Sequence, residues 1–380
     1  MHDGVGGLAG GAGGALAGSG GADRARSRSP AGQLETHGAD DPAWDGLVRE
    51  AASFDFYHCA SYHALAEARG EGRAVLFAYR EGVTAVALPL LLRRVAEVPG
   101  LESSRWLDAT SVYGYSGPVS VGPPPSDETL ARFQEALRQR LREMSVVAVF
   151  SRLHPLLPQP RLLRDLGRIE RLGPTASIDL SLPLEEQRRA MAPAHRNQVN
   201  KLRRSGAACF LDVDGRFLTD FVAIYLETMS RVAAGAYYQF DAGYFNALRT
   251  AMPDQFRLFV VRLEDRTICA GVFMLTGDIV QYHLSGTLDA YIRMAPMKLL
   301  LDEVRLWAIE AGARRFHLGG GLGARADSLF DFKRRFATDV HDFHVWKWVV
   351  DDGRYEQLCS LRAGGRPPGE PPSFFPTYRA

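Results

Sequence analysis

The chain has 380 residues, 46% of them hydrophobic, and a formal net charge of +1. That length suits two domains, that apolar share fills ordinary globular cores, and near-neutrality excludes a global field drawing the protein onto nucleic acid or a membrane surface. Any basic patch must therefore be local. The 4 cysteines, Cys59, Cys209, Cys269 and Cys359, form no CxxC pair. Neither a disulfide framework nor a metal site is expected of them, and a reducing, cytoplasmic setting fits. No run reaches the ~18–20 apolar residues that span a bilayer.

In chain order, the opening stretch is Gly- and Ala-rich, then Arg- and Ser-rich (Arg24, Arg26, Arg28). A secretory signal has the opposite order, charge first and a large apolar stretch after. Such a composition buries too little surface to offset its ordering entropy, so residues 1–40 are expected to be a disordered tail. From Asp41 the composition is globular. Residues 73–79 and 83–92 read as strands around a tight turn at Glu81 and Gly82. Ser126 reads as a helix N-cap, with Asp127 and Glu128 at the positive helix end, and Leu130, Phe133, Leu137 and Leu141 repeat at helical spacing. Residues 146–150 form a short buried strand.

The second half repeats this layout. Strands are expected at 257–263, 268–275 and 279–284, with a turn at Gly277 and Asp278. A helix follows from Pro296 to a stop at Gly312, then a strand at 315–318. Hairpin, helix and strand thus occur twice in one order. That is also the order of the Gcn5-related N-acetyltransferase (GNAT) fold, an α/β arrangement with helices on both faces of a mixed sheet.

Between the halves, residues 191–206 form a basic helix. Val199 and Leu202 share a face with Met191, while Arg196, Asn200 and Arg203 share another, flanked by Lys201 and Arg204. This is either a solvated face or a phosphate-binding surface. Residues 107–118 mix small polar residues with Tyr113 and Tyr115 and suit a ligand-lining loop, or an ordinary turn. There Asp108 holds a substrate amine or caps the backbone of Thr110 or Ser111. Residues 281–287 (QYHLSGT) end a strand with a polar cluster that includes Tyr282 and Ser285. Tyr282 and His283 point to opposite faces, so at most one of them faces a cleft. His283 also reads as a satisfied, partly buried histidine. Residues 317–323 (HLGGGLG) lack the spacing of a nucleotide loop. Residues 328–336 (SLFDFKRRF) place Phe332 and Phe336 on one helix face beside Lys333. A cation near rings and a glycine loop is equipped to stabilise an oxyanion; the alternative is two core aromatics beside a solvated lysine. No GxSxG elbow and no HExxH motif is present, which favours direct attack by a substrate amine over a covalent enzyme intermediate.

The segments HRNQVNKLRRSG (195–206), YGYSGP (113–118) and YLETM (225–229, with Tyr225), the 296–312 helix, and Phe332-Lys333 with Phe336 resemble, in the same order, the Fem-type aminoacyl-tRNA-dependent transferases. The resemblance covers residues 54–358. It implies two tandem GNAT-like domains, residues 41–178 with a C-terminal return at 342–380, and residues 179–341. It implies transfer of an amino acid from aminoacyl-tRNA, as co-substrate and with no other cofactor and no metal, to the amine of a small peptide or peptidyl-nucleotide acceptor. That acceptor belongs to a peptidoglycan precursor or, as in relatives of antibiotic biosynthesis, to a peptide natural product. It also implies that Lys333 contacts the transferred ester carbonyl and Phe332 supports the tRNA acceptor end. Arg196, Lys201 and Arg204 are expected on phosphates, Asp108, Tyr113, Tyr115, Tyr225, Tyr282 and Ser285 on substrate, and the chain is expected to act as a monomer. The coiled-coil arm of some members is absent. An acyl-CoA-dependent N-acyltransferase is the alternative, although residues 293–298 offer no glycine for a pyrophosphate turn. A non-catalytic binding module is the alternative from another class.

Overall fold

The computed structural model describes residues 32–232, 235, 239–363 and 374–380. The first half contains β1 (Gln33–His37), α1 (Pro42–Arg49), α2 (Ala60–Ala68), β2 (Arg73–Glu81), β3 (Thr84–Arg94), β4 (Leu107–Thr110), β5 (Val119–Val121), α3 (Asp127–Glu143) and β6 (Val146–Arg152). A short α4 (Gln159–Leu162) and the long β7 (Arg168–Asp179) lead out of it. The second half runs through α5 (Leu184–Ala190), α6 (Pro193–Arg204), β8 (Ala208–Leu211), α7 (Leu218–Arg231), α8 (Ala242–Ala251), β9 (Phe256–Leu263), β10 (Arg266–Thr276), β11 (Ile279–Thr287), α9 (Met297–Glu310), β12 (Arg315–Gly320) and α10 (Ser328–Arg334). The chain then returns through β13 (Asp339–Val349) and α11 (Asp352–Ala363).

All of these strands join one mixed sheet, in the order β1-β2-β3-β4-β6-β13-β7-β12-β11-β10-β9-β8, with β5 beside β3. Strands β2, β3 and β10 are almost wholly apolar because helices cover both faces. Alternate residues therefore enter different cores. Val75, Phe77 and Tyr79 meet Leu130, Phe133, Leu137 and Leu141 of α3. Leu76 and Ala78 turn the other way, toward α1 and α2, which pack against Phe221, Tyr225 and Phe245 of α7 and α8. In the second half Leu299, Leu300, Val304 and Ala308 of α9 cover Phe259, Val261 and Phe273. Each half contains one parallel strand pair bridged by a helix: β4 with β6 across α3, and β11 with β12 across α9. The Ser126 cap is present, its side chain accepting from the Thr129 amide.

Two expectations need correction. The tail does not extend to residue 40: Gln33–His37 pair with Leu76–Arg80 as an edge strand, and Asp41 caps α1. Residues 1–31 lie outside the described residues. The 107–118 segment is a loop only beyond Thr110, because Leu107–Thr110 pair with β3 and β6. Strand β13 lies between the halves; Val345–Val349 pair with β6 while Asp339–Lys347 pair with β7. Tyr378 and Leu358 then pack on Val95, Val98, Leu101 and Val147 of the first half.

Candidate active site

After Gln281 and His317 the parallel pairing of β11 and β12 ends. At this mouth stand Tyr282 and Ser285 from β11, hydroxyl to hydroxyl, Gly319 and Gly320 from β12, Lys333 from α10 and Tyr115 from the first half. Asp327 caps α10 by accepting from the Phe330 amide and also accepts from the Leu322 amide, which fixes the glycine turn to the helix. Lys333 then reaches back, its Nζ donating to the Gly320 carbonyl at 2.8 Å and lying 5.1 Å from the centre of the Tyr282 ring. Burial lowers the Lys333 pKa to about 8, partly countered by the charge of Asp327. The ammonium is therefore present at neutral pH but held weakly enough to be sensitive to its surroundings.

Gly319 has φ +77°, and a β-carbon there would stand 3.4 Å from Lys333 Nζ and 3.5 Å from the Tyr115 hydroxyl. Glycine gives the left-handed turn without strain and leaves room in front of both groups. Burial raises the Tyr115 pKa to about 12, offset in part by a hydrogen bond with the Gly320 backbone. Tyr115 is carried here by a loop that turns at Gly114 (φ +113°), where a β-carbon would collide with the Tyr57 ring.

Beneath this mouth lies a buried polar chain that sequence reasoning missed. Asp55, His58, His154, Gln159, Gln281 and His317 are all at most 1% exposed. Asp55 Oδ2 accepts from His154 Nε2 at 2.9 Å and from Gln281 Nε2 at 2.6 Å, and Gln281 Oε1 bonds to His317 Nδ1 at 2.8 Å. His58 donates to the Ser116 carbonyl, which also receives Gln159 Nε2 at 2.7 Å. Burial pushes His58 down to about 4 and His317 well below the usual imidazole value. The cluster is a hydrogen-bonded chain; among the described residues no three His, Cys, Asp or Glu side chains are grouped to hold a metal ion. The legible signal was a polar residue inside a buried apolar run: Gln281 follows Ile279 and Val280, and His317 sits between Phe316 and Leu318.

The other expected site residues separate. Asp108 is fully buried away from the mouth, bonded to Arg93 Nε at 2.7 Å, to the Tyr378 hydroxyl at 3.2 Å and to Arg379. It anchors the chain's return rather than presenting a carboxylate to an amine. Tyr225 is a fully buried core residue beside Phe221 and Phe245. Tyr113 packs against Phe240 and His283 in the aromatic layer between the halves. Phe332 does not flank the ammonium: its ring lies 5.4 Å from that of His195 and 5.5 Å from that of Phe336, and Tyr282 takes the place expected for it. On α6, Arg196 closes the end of α5 by donating to the Arg188 and Met191 carbonyls, and Arg203 pairs with Asp302 and Glu303. Lys201 and Arg204 remain exposed on the helix surface.

The site thus combines a mixed sheet, the end of a parallel strand pair, a glycine-bearing strand end and a lysine that reaches back to it. Residues 189–334 match the family model described as acetyltransferase (GNAT) domain. Over 119 residues it is 26% identical to the UDP-N-acetylmuramoylpentapeptide-lysine N(6)-alanyltransferase of Weissella viridescens, which is 30% of this chain. The match spans about a third of that curated relative, 35% of its length. Among solved structures, FemX superposes with a TM-score of 0.66 at 14% identity, covering 85% of this chain and 99% of that one. The L-PGS of Bacillus licheniformis superposes with a TM-score of 0.53 at 15% identity, covering 87% and 99%. At these identities the likeness is one of fold. Among the described residues no helix is long and apolar enough to cross a membrane.

Proposed function

We propose that the protein is an aminoacyltransferase that takes its amino acid from aminoacyl-tRNA and forms an amide on the amine of a peptide-like acceptor, a peptidoglycan precursor in the first instance. The observation that carries this reading is Lys333: a half-buried ammonium beside the Gly319–Gly320 backbone, with Tyr282 beneath it and Tyr115 opposite. When an amine attacks an ester carbonyl, negative charge develops on the carbonyl oxygen, and a fixed cation in a water-poor site stabilises it far better than solvent does. The likeness to a lysine N(6)-alanyltransferase supports amino-acid transfer to an amine. The exposed Lys201 and Arg204 offer a local basic face for a polyanionic donor in a chain of nearly neutral charge.

The test is a donor panel. The purified protein is mixed with charged tRNA pools or with acyl-CoAs, and with UDP-linked or free peptides bearing a lysine amine. Amide product from charged tRNA is the expected outcome; product from acyl-CoA alone would overturn the donor assignment. A preference for non-cell-wall peptides would move the acceptor to peptide natural products.

A further inference from the structure

The proton of the attacking amine must go somewhere. We infer that His317 Nε2 accepts it, and that Asp55 and Gln281 act as positioning residues that hold His317 in the one tautomer able to do so. This inference rests on the acyl-transfer reading above and adds to it the identity of the base.

The tautomer follows from the hydrogen bonds in sequence. A carboxylate only accepts, so Asp55 Oδ2 must face the amide nitrogen of Gln281, 2.6 Å away. That orientation turns Gln281 Oε1 toward His317 Nδ1 at 2.8 Å. An amide oxygen also only accepts, so Nδ1 carries the hydrogen and Nε2 is left with a lone pair. His154 is fixed in the same way: its Nδ1 accepts from the Leu156 amide at 3.2 Å, so its Nε2 donates to Asp55. The chain thus ends in a proton acceptor, not a donor.

That acceptor has no protein partner. His317 Nε2 is buried and unbonded, as are the Thr175 and Ser116 hydroxyls. All three belong to this one region: Thr175 pairs with Gly320 across β7 and β12, and Ser116 follows Tyr115. Buried polar atoms are ordinarily satisfied, so an unpartnered acceptor at the end of this chain leaves a hydrogen-bonding position for a ligand's polar atom. The Tyr115 ring stands edge-on to His317, centroids 5.2 Å apart, so the acceptor amine reaches Nε2 by displacing this ring on its glycine-flanked loop. The groups facing the imidazole are His154, His341, Lys333 and Tyr115, with Asp55 behind Gln281. Burial first, then the charge of Lys333 and the neighbouring rings, keeps it neutral at physiological pH, so Nε2 has a lone pair to offer.

The step balances. The amine nitrogen bonds to the ester carbon while Lys333 meets the carbonyl oxygen. The surplus proton passes from nitrogen to His317 Nε2. The carbon–oxygen bond to the donor's ribose breaks, and the same proton goes to the departing oxygen, restoring neutral imidazole.

His317→Asn is the decisive variant, because the asparagine amide nitrogen takes the place of Nδ1 and keeps the bond to Gln281 while nothing replaces Nε2. Single-turnover transfer should fall by ~10²–10⁴-fold, the usual worth of a positioned base, with donor KM unchanged and the rate becoming steeply dependent on added pH. Gln281→Leu should give a smaller loss with a displaced pH profile. Wild-type turnover by His317→Asn would overturn the inference, whereas no transfer by the wild-type protein would overturn the acyl-transfer reading itself. Nitrogen chemical shifts of His317 in the wild-type protein give a measure independent of any variant's folding. A neutral ring with the hydrogen on Nδ1 is expected; a hydrogen on Nε2 would sink the inference.

Discussion

Two fully buried carboxylates, Asp55 and Asp108, are treated in opposite ways. Asp108 is neutralised by two guanidinium groups, Arg93 and Arg379, and by the Tyr378 hydroxyl. Asp55 meets no guanidinium: its partners are the Phe56 and His58 amides, His154 and Gln281. Burying a carboxylate is costly unless it is paired, so the first arrangement secures structure, while the second leaves negative potential directed along a hydrogen-bonded chain. The contrast separates an anchor from a site better than burial or residue type does.

That contrast can be broken experimentally. Asp108→Ala leaves Arg93 and Arg379 facing a void, and a stability loss of ~3–5 kcal/mol is expected in chemical denaturation. Turnover per folded molecule should stay unchanged; intact stability with lost turnover would restore the amine-holding role. Lys333→Met should do the reverse, lowering kcat by ~10²–10³-fold, or ~3–4 kcal/mol of transition-state stabilisation, with no loss of stability at neutral pH. Wild-type turnover in this variant would remove Lys333 from the chemistry.

The pH dependence sharpens the same point. Because the folded Lys333 titrates near 8 against an ordinary 10.5, transfer should decline as pH rises through about 8 and the ammonium is lost. Stability should move the other way. Between these two values the unfolded chain holds a proton that the folded one does not, so the Lys333 contribution to stability grows as pH rises across that window. Lys333→Met should abolish this component, which pH-dependent melts of both proteins will read. Lys201→Ala and Arg204→Ala should each reduce the salt slope of tRNA binding by about 0.7–0.9; an unchanged slope returns α6 to an ordinary solvated face. Removal of residues 1–31 should change activity by less than a few-fold, but extending the deletion through His37 removes β1, bares the edge of β2 and should lower the melting temperature.

Much of the fold was legible because its signals are local. The Ser126 cap, the stripe from Leu130 to Leu141 and the turn at Gly277 each need only a few neighbouring residues. The resemblance singled out Lys333 but not its ring neighbour: adjacent residues on a helix point about 100° apart, so Phe332 packs with His195 while Lys333 turns to Tyr282. The Asp55 chain was illegible because its members come from segments far apart in sequence, and each alone reads as an ordinary polar residue. Asp108 misled for the opposite reason. Its loop setting suggested a ligand, and nothing local announces that residues 270 positions away return to cover it.

The path of β13 has a consequence for how the protein is made. Val345 pairs with Arg152 on one side and Glu170 on the other, so this strand is the seam joining the halves. During translation, β6 and β7 leave the ribosome long before the seam does. Until Asp339–Val349 emerge, both present bare edges, open to mispairing with each other or with a neighbouring chain. Domains usually mature from the N-terminus as synthesis proceeds. Here the first half to be synthesised must wait for the last strand of the sheet before its own part of that sheet is closed.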